Sequence, residues 1–148
     1  MTNIRIDELK TEAEWKDAFP IMMQLWKDTP RELTQSSFFD LLQELSETEG
    51  YRLFGLFVDE TLVALAGVSI RMSAWYGRYL WVYDLVTDAE HRSNGYGDQL
   101  LSFLEQWAKD HECETIALAS AFKRTDSHRF YENFGMEKSS VVYQQTLD

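Results

Sequence analysis

Cysteine is nearly missing from this chain: Cys113 stands alone in 148 residues. That excludes an internal disulfide and any cysteine-rich metal centre, and it points to a reducing compartment, the cytoplasm. Basic residues are also scarce. The 14 Lys and Arg against 25 Asp and Glu leave a net charge of -11, which repels nucleic acid and anionic membranes and favours a cationic partner. No stretch approaches the roughly 18 apolar residues of a membrane span. The polar start, Met1 to Lys10, lacks the apolar core of a secretion signal, so neither export nor insertion is expected. The three histidines, His91, His111 and His128, lie too far apart for a local metal-ligand pattern, and no metal is expected. No repeat, low-complexity stretch or linker interrupts the chain, so residues 1–148 are expected to form one domain.

Apolar residues make up 45% of the chain and aromatics 14%, enough for a packed core. Asn3 to Asp7 alternates as an edge strand would. Thr11 and Glu14 have capping-box spacing before a helix that Pro20 should kink or split and Pro30 should end. Thr34 is a plausible N-cap for a second helix with Phe38, Leu41, Leu42 and Leu45 on one face, closed by Gly50. Tyr51 to Val58 and Leu62 to Arg71 form a hairpin about a short polar turn. Arg78 to Thr87 is a further strand, with Tyr79, Trp81, Tyr83 and Leu85 expected on one face and Leu80, Val82, Asp84 and Val86 on the other. From Gly95 the period becomes helical as far as His111. Thr115 to Ser120 is a short strand, Asp126 caps a brief helix closed by Gly135, and Val141 to Thr146 alternates as a last strand.

The most informative segment is VTDAEHRSNGYG, Val86 to Gly97, where a strand ends in a turn of small residues that opens a long amphipathic helix. The first-turn amides of such a helix are unpaired and carry partial positive charge, so the turn suits a phosphate group. Gly95 and Gly97 let the backbone approach an anion, and Arg92 supplies a charge. The segment is neither the GxGxxG dinucleotide fingerprint nor a phosphate loop ending in Lys-Ser/Thr.

Arg92-Ser93-Asn94-Gly95-Tyr96-Gly97 resembles motif A of the GNAT superfamily of N-acetyltransferases, Q/R-x-x-G-x-G/A. Downstream, DSHRFYENFGM, with Tyr131 before Gly135-Met136, looks like that family's closing helix. The resemblance implies an α/β fold: a twisted mixed sheet of about six or seven strands, splayed between the fourth and fifth, with about four flanking helices and acetyl-CoA in the gap. In such a fold the backbone of Leu85, Val86 and Thr87 holds the pantetheine arm. The turn from Arg92, Ser93, Asn94, Gly95, Tyr96 and Gly97 to Asp98 holds the pyrophosphate, although Asp98 is an unhelpful charge there. Arg124 stands near a position where relatives carry a cofactor-contacting asparagine, and could instead meet a phosphate of CoA.

Direct transfer to an amine needs a base, donors that polarise the thioester and an acid for the leaving thiolate. Tyr131 matches the family's tyrosine acid. Asp84 is the candidate base, with an amine anchor and a buried salt-bridge partner as alternatives. The family's other route, a glutamate on the fifth strand, meets Ala119 here. His128 is more in keeping with a solvated turn. Trp75, Tyr79 and Trp81, with Glu32, are candidates to contact the acceptor. Cys113 lies away from the inferred cleft, against a covalent cysteine mechanism. The expected activity is acetyl transfer from acetyl-CoA to a small cationic amine. Acetylation of a protein N-terminus or lysine is the second reading, a non-catalytic acetyl-CoA sensor the third, and a homodimer is possible by analogy.

Overall fold

The computed structural model describes residues 2–147 and holds five strands and four helices. They fall into two compact units, the first ending at Ala117 and the second beginning at Leu118.

The first unit is built on β1 (Ile4–Glu8), β2 (Arg52–Val58), β3 (Thr61–Ser73), β4 (Gly77–Thr87) and all but the last residue of β5 (Thr115–Leu118), in that order across one sheet. The first three pairings are antiparallel. β2 and β3 join through Asp59 and Glu60, both at positive φ (48° and 68°), the conformation that lets a two-residue loop follow the twist of its strands. β5 begins where Glu114 N–H donates to Arg78 O (2.6 Å). A strand paired with β4 from that point must run parallel to it, because an antiparallel one would leave the sheet at once. Its four residues reach only to about Val82, at roughly 3.3 Å per residue. The later part of β4 lies beyond its span.

α1 (Glu12–Trp26) and α2 (Gln35–Thr48) cover one face of the sheet. Both start with reciprocal caps, Thr11 with Glu14 and Thr34 with Ser37, each satisfying two orphan amides. Of the two outcomes expected at Pro20, a kink or a split, the split does not occur: α1 runs through it. Pro20 and Lys16 are both exposed, so water can take the Lys16 carbonyl that proline leaves unbonded. Under these helices lie Trp15, Ala18, Met22, Phe38 and Leu42, packed on Tyr51, Leu53, Leu65 and Val86. α3 (Tyr96–Asp110) covers the opposite face, where Phe103 and Trp107 stack edge-on against Phe54. No helix of the described residues is long and apolar enough to cross a membrane.

The second unit contains α4 (Thr125–Phe134), closed by Gly135 at φ 110°, the left-handed stop that favours glycine. Asp126 is not its cap but lies inside it, ion-paired with Arg129. No regular element occurs at 136–147, so the expected strand from Val141 to Thr146 is absent among the described residues. Val141, Val142 and Tyr143 are exposed there. Alternation makes a segment able to pair, but only a neighbouring backbone makes it a strand. The sheet accordingly has five strands rather than six or seven.

Candidate active site

Two neighbouring stretches of the first unit carry the chemistry: the bulged end of β4 and the turn that follows it. Along β3, residues Leu65, Gly67, Ser69 and Arg71 alternate onto the face covered by α1 and α2. Arg71 pairs with Tyr79, Ser69 with Trp81, Gly67 with Asp84 and Leu65 with Val86. Between Val82 and Asp84 the register slips by one residue, so Tyr83 is an extra residue of β4. This bulge overturns the simple alternation expected for the strand. Asp84 and Val86 share a face with Tyr79 and Trp81, instead of opposing them, because one inserted residue reverses the parity of everything after it.

The bulge delivers Asp84 into an apolar interior with two hydrogen bonds and no countercharge. Trp26 Nε1 at the end of α1 donates to Asp84 Oδ1 (2.7 Å), and the Tyr51 hydroxyl donates to Oδ2 (2.8 Å). The carboxylate is only 6% exposed, and no salt bridge of the described residues includes it. Burial raises its pKa from 3.8 to about 6, held back by the bonds from Tyr51 and Trp26. The Tyr51 hydroxyl is itself pushed well above its ordinary range by burial and by the Asp84 charge. Room for the Tyr51 ring comes from Gly67, where a Cβ would overlap the tyrosine hydroxyl and ring. Tyr51 also stacks edge-on with Tyr83 at 5.1 Å, whose hydroxyl accepts from Arg71 Nη2 (2.6 Å) and from Ser69 Oγ (3.2 Å). Tyr51, Trp26 and Arg71 are absent from the sequence reading of the site.

Beyond Asp84, Leu85, Val86 and Thr87 pair with Ala66, Leu65 and Ala64 on one side and lie past the span of β5 on the other. The chain then bends through a 3-10 turn, Ala89–His91. Gln24 of α1 fastens this bend, donating to Asp88 Oδ1 and accepting from Ala89 N–H, both at 2.9 Å. The Gln24 bond is the chief reason that the Asp88 carboxyl stays below its usual range.

Ser93 (φ 66°) and Gly95 (φ 80°) both take left-handed backbone, and Gly95 is the N-cap of α3 with no side chain capping the helix. The amides of Tyr96, Gly97 and Asp98 precede the first helical bond, Gln99 N–H to Gly95 O (3.1 Å), and lack intrahelical acceptors. Space is open beside Gly95, with nothing within 4 Å of where a Cβ would stand. The Asn94 amide ties the turn to the carbonyls of His91 and Arg92, and Arg92 Nε donates to Thr87 O (3.2 Å). An exposed left-handed turn with orphan amides at a fifteen-residue helix suits a pyrophosphate.

Trp75 is 84% exposed in the turn between β3 and β4, and Glu32 is exposed in the loop between α1 and α2. In the second unit, the Tyr131 hydroxyl is raised by burial, opposed by the Arg124 charge, so it stays protonated at neutral pH. His128 Nε2 lies 2.8 Å from Ala121 O, a local tie at the start of α4. Cys113 is half-buried and its thiol is pushed up by burial, the opposite of an activated nucleophile.

The family model for the acetyltransferase (GNAT) family matches residues 19–136. The chain belongs to the GNAT acetyltransferase family. An uncharacterised N-acetyltransferase of Bacillus subtilis (strain 168), YhdJ, is 34% identical over 145 residues, 97% of this chain and 99% of that protein. Among solved structures, a transcriptional regulator from Bacillus halodurans C-125 superposes with a TM-score of 0.84 at 22% identity, over 98% of this chain and all of the other. The aminoglycoside N-acetyltransferase AAC(6')-Iy in complex with CoA superposes with a TM-score of 0.81 at 16% identity, over 99% and 96% of the two chains. This GNAT chain is therefore an acetyltransferase with a mixed α/β sheet of the family's kind.

Proposed function

We propose that the protein transfers an acetyl group from acetyl-CoA to the primary amine of a small molecule by direct attack. The observation that carries this reading is Asp84: a buried carboxylate without a countercharge, at the bulge of β4 and directly before Leu85 to Thr87. A structural ion pair would have neutralised that charge. Here it is left to titrate near pH 6, where a carboxylate can accept a proton from an incoming ammonium.

The backbone of Leu85, Val86 and Thr87 would bind the pantetheine arm as an added strand, and the amides of Tyr96, Gly97 and Asp98 would receive the pyrophosphate, with Arg92 adding a charge-assisted contact; Arg124 is a candidate for a CoA phosphate from the sequence resemblance alone. The open space at Gly95 and its positive φ fit such a group. Asp84 would take the proton of the amine, and Tyr131, protonated at neutral pH, is the proposed acid for the departing thiolate on its match to the family's tyrosine alone. The acceptor enters on the face of Tyr79, Trp81 and Tyr83. A sensor that merely binds the donor has no use for an uncompensated buried carboxylate, so the catalytic reading is preferred. A reducing, cytoplasmic setting goes with the single cysteine.

Calorimetric titration with acetyl-CoA tests the donor site, with Gly95→Glu as the control. The new side chain enters open space, so the fold bears only the roughly 1–2 kcal/mol of left-handed backbone, while bulk and charge fall where the pyrophosphate should sit. Binding by the unaltered protein, weakened at least 100-fold in the variant, is expected. No binding by the unaltered protein would refute the proposal.

A further inference from the structure

Arg71 is the cation that the established family membership leaves without a task. It lies on β3 on the same face of the sheet as Asp84, and is only half-buried in a chain of net charge -11. In so acidic a protein an arginine at this depth would be expected to meet a carboxylate, yet no salt bridge of the described residues includes it. Glu49, at the end of α2, acts on it only through space. Its contacts are neutral. Nη2 donates to the Tyr83 hydroxyl (2.6 Å), Nε donates to Ser69 Oγ (3.3 Å), and the guanidinium lies over the rings of Tyr83 (4.9 Å) and Trp81 (5.5 Å). These contacts hold the fork flat and fixed while engaging only part of its five donors. Such preorganisation suits a bidentate acid.

Arg71 and Asp84 are linked through one pair of stacked rings. Asp84 bonds Tyr51, Tyr51 stacks on Tyr83, and Tyr83 accepts from Arg71. Opposite charges are thus displayed on a single face, separated by an aromatic layer, with about 13 Å of strand between Gly67 and Arg71 at the backbone. A polyamine would meet an anion at one end and a repelling guanidinium at the other.

We propose that Arg71, steadied by Ser69, Tyr83 and Trp81, binds an acidic group of the acceptor, so that the substrate is an amine bearing a carboxylate or phosphate a few bonds away, not a polyamine. This inference rests on the acetyltransferase reading above and narrows its acceptor.

Steady-state thiol release with acetyl-CoA and three acceptors provides the test: 1,4-diaminobutane, 4-aminobutanoate and 2-aminoethyl phosphate. The unaltered protein is expected to favour at least one acid-bearing amine over the diamine by 30-fold or more in kcat/KM, and the carboxylate and phosphate arms identify which acid is read. Arg71→Gln should raise KM for that amine at least tenfold, change its kcat little, and raise rather than lower kcat/KM for the diamine, since the repelling charge is gone. Acetyl-CoA binding by the variant, measured calorimetrically, reports that its fold and donor site are intact. If Arg71→Gln does not fold, Arg71→Lys is read by the same ratio, and a KM increase confined to the acid-bearing amine is again expected. Preference for the diamine, an equal loss on all three acceptors, or no turnover of any of them by a protein that binds acetyl-CoA would overturn the assignment of Arg71. Failure of the unaltered protein to bind acetyl-CoA would instead refute the acetyltransferase reading.

Discussion

Replacing Asp84 by Asn should make the protein more stable at pH 8 and inactive, and the gain should depend on pH. Burial raises the folded-state pKa of Asp84 from 3.8 to about 6. The folded state therefore binds a proton more tightly than the unfolded chain, and ionisation of this group opposes folding as pH rises from about 4 through 6. One pK unit is about 1.4 kcal/mol, so the full penalty is on the order of 3 kcal/mol, of which about 1.4 kcal/mol develops between pH 5 and pH 8. Asparagine can keep both contacts, its oxygen accepting from Trp26 and its amide donating to the Tyr51 oxygen. Its stability should thus lack this pH dependence. Urea unfolding at pH 5 and pH 8 would show the variant gaining about 1.4 kcal/mol on the unaltered protein over that interval, equivalent to roughly 3–6 °C in melting temperature for a chain of this size. A stability difference that is the same at both pH values would mean that Asp84 does not titrate in this range, and would remove it as the base. In the acetylation assay, kcat of the unaltered protein should fall on the acid side of about pH 6, where Asp84 is protonated, and Asp84→Asn should lower kcat by at least 100-fold.

Two further substitutions probe the surroundings of the same carboxylate. Tyr51→Phe removes the bond that most opposes the rise in the Asp84 pKa, so the acid limb of the kcat profile should move to higher pH; an unmoved limb would show that Tyr51 does not set it. Gly67→Ala puts a methyl group into the Tyr51 ring. Overpacking of that kind lowers stability by about 1–3 kcal/mol, and thermal unfolding should show the loss, only partly relieved when Tyr51→Phe is added, because ring carbons Cζ and Cε2 would still stand 2.5 and 2.7 Å from the new methyl.

The features legible in the sequence were those encoded within a few residues. Thr11 and Glu14 announce their helix because the capping pair spans three positions, and Gly135 marks the end of another because the left-handed stop is a property of one residue. The Arg92 to Gly97 turn is local in the same sense, a strand end, small residues and a helix start in unbroken order. The bulge at Tyr83 is different in kind. A strand read alone alternates, and only the register against β3 reveals the extra residue that turns Asp84 toward α1 and α2. Trp26 and Tyr51 were invisible as its partners because they lie 58 and 33 residues away. The expected strand from Val141 to Thr146 failed for a related reason: its pattern is intact, but no backbone among the described residues pairs with it.

One signal did point to the hidden geometry. Gly67 interrupts the apolar run LVALAGVSI, and a glycine inside a central strand implies that something approaches the backbone closely. Asp84, on the neighbouring strand among apolar residues, implies donors brought from elsewhere, since a buried carboxylate without them would not be tolerated. The two anomalies have one cause: Gly67 and Asp84 are register partners, and the Tyr51 side chain that requires the absence of a Cβ at the first supplies a hydrogen bond to the second. A glycine and an acid that each break the local pattern, on strands adjacent in sequence, are therefore jointly a signature of a built polar site, though either alone would pass as noise.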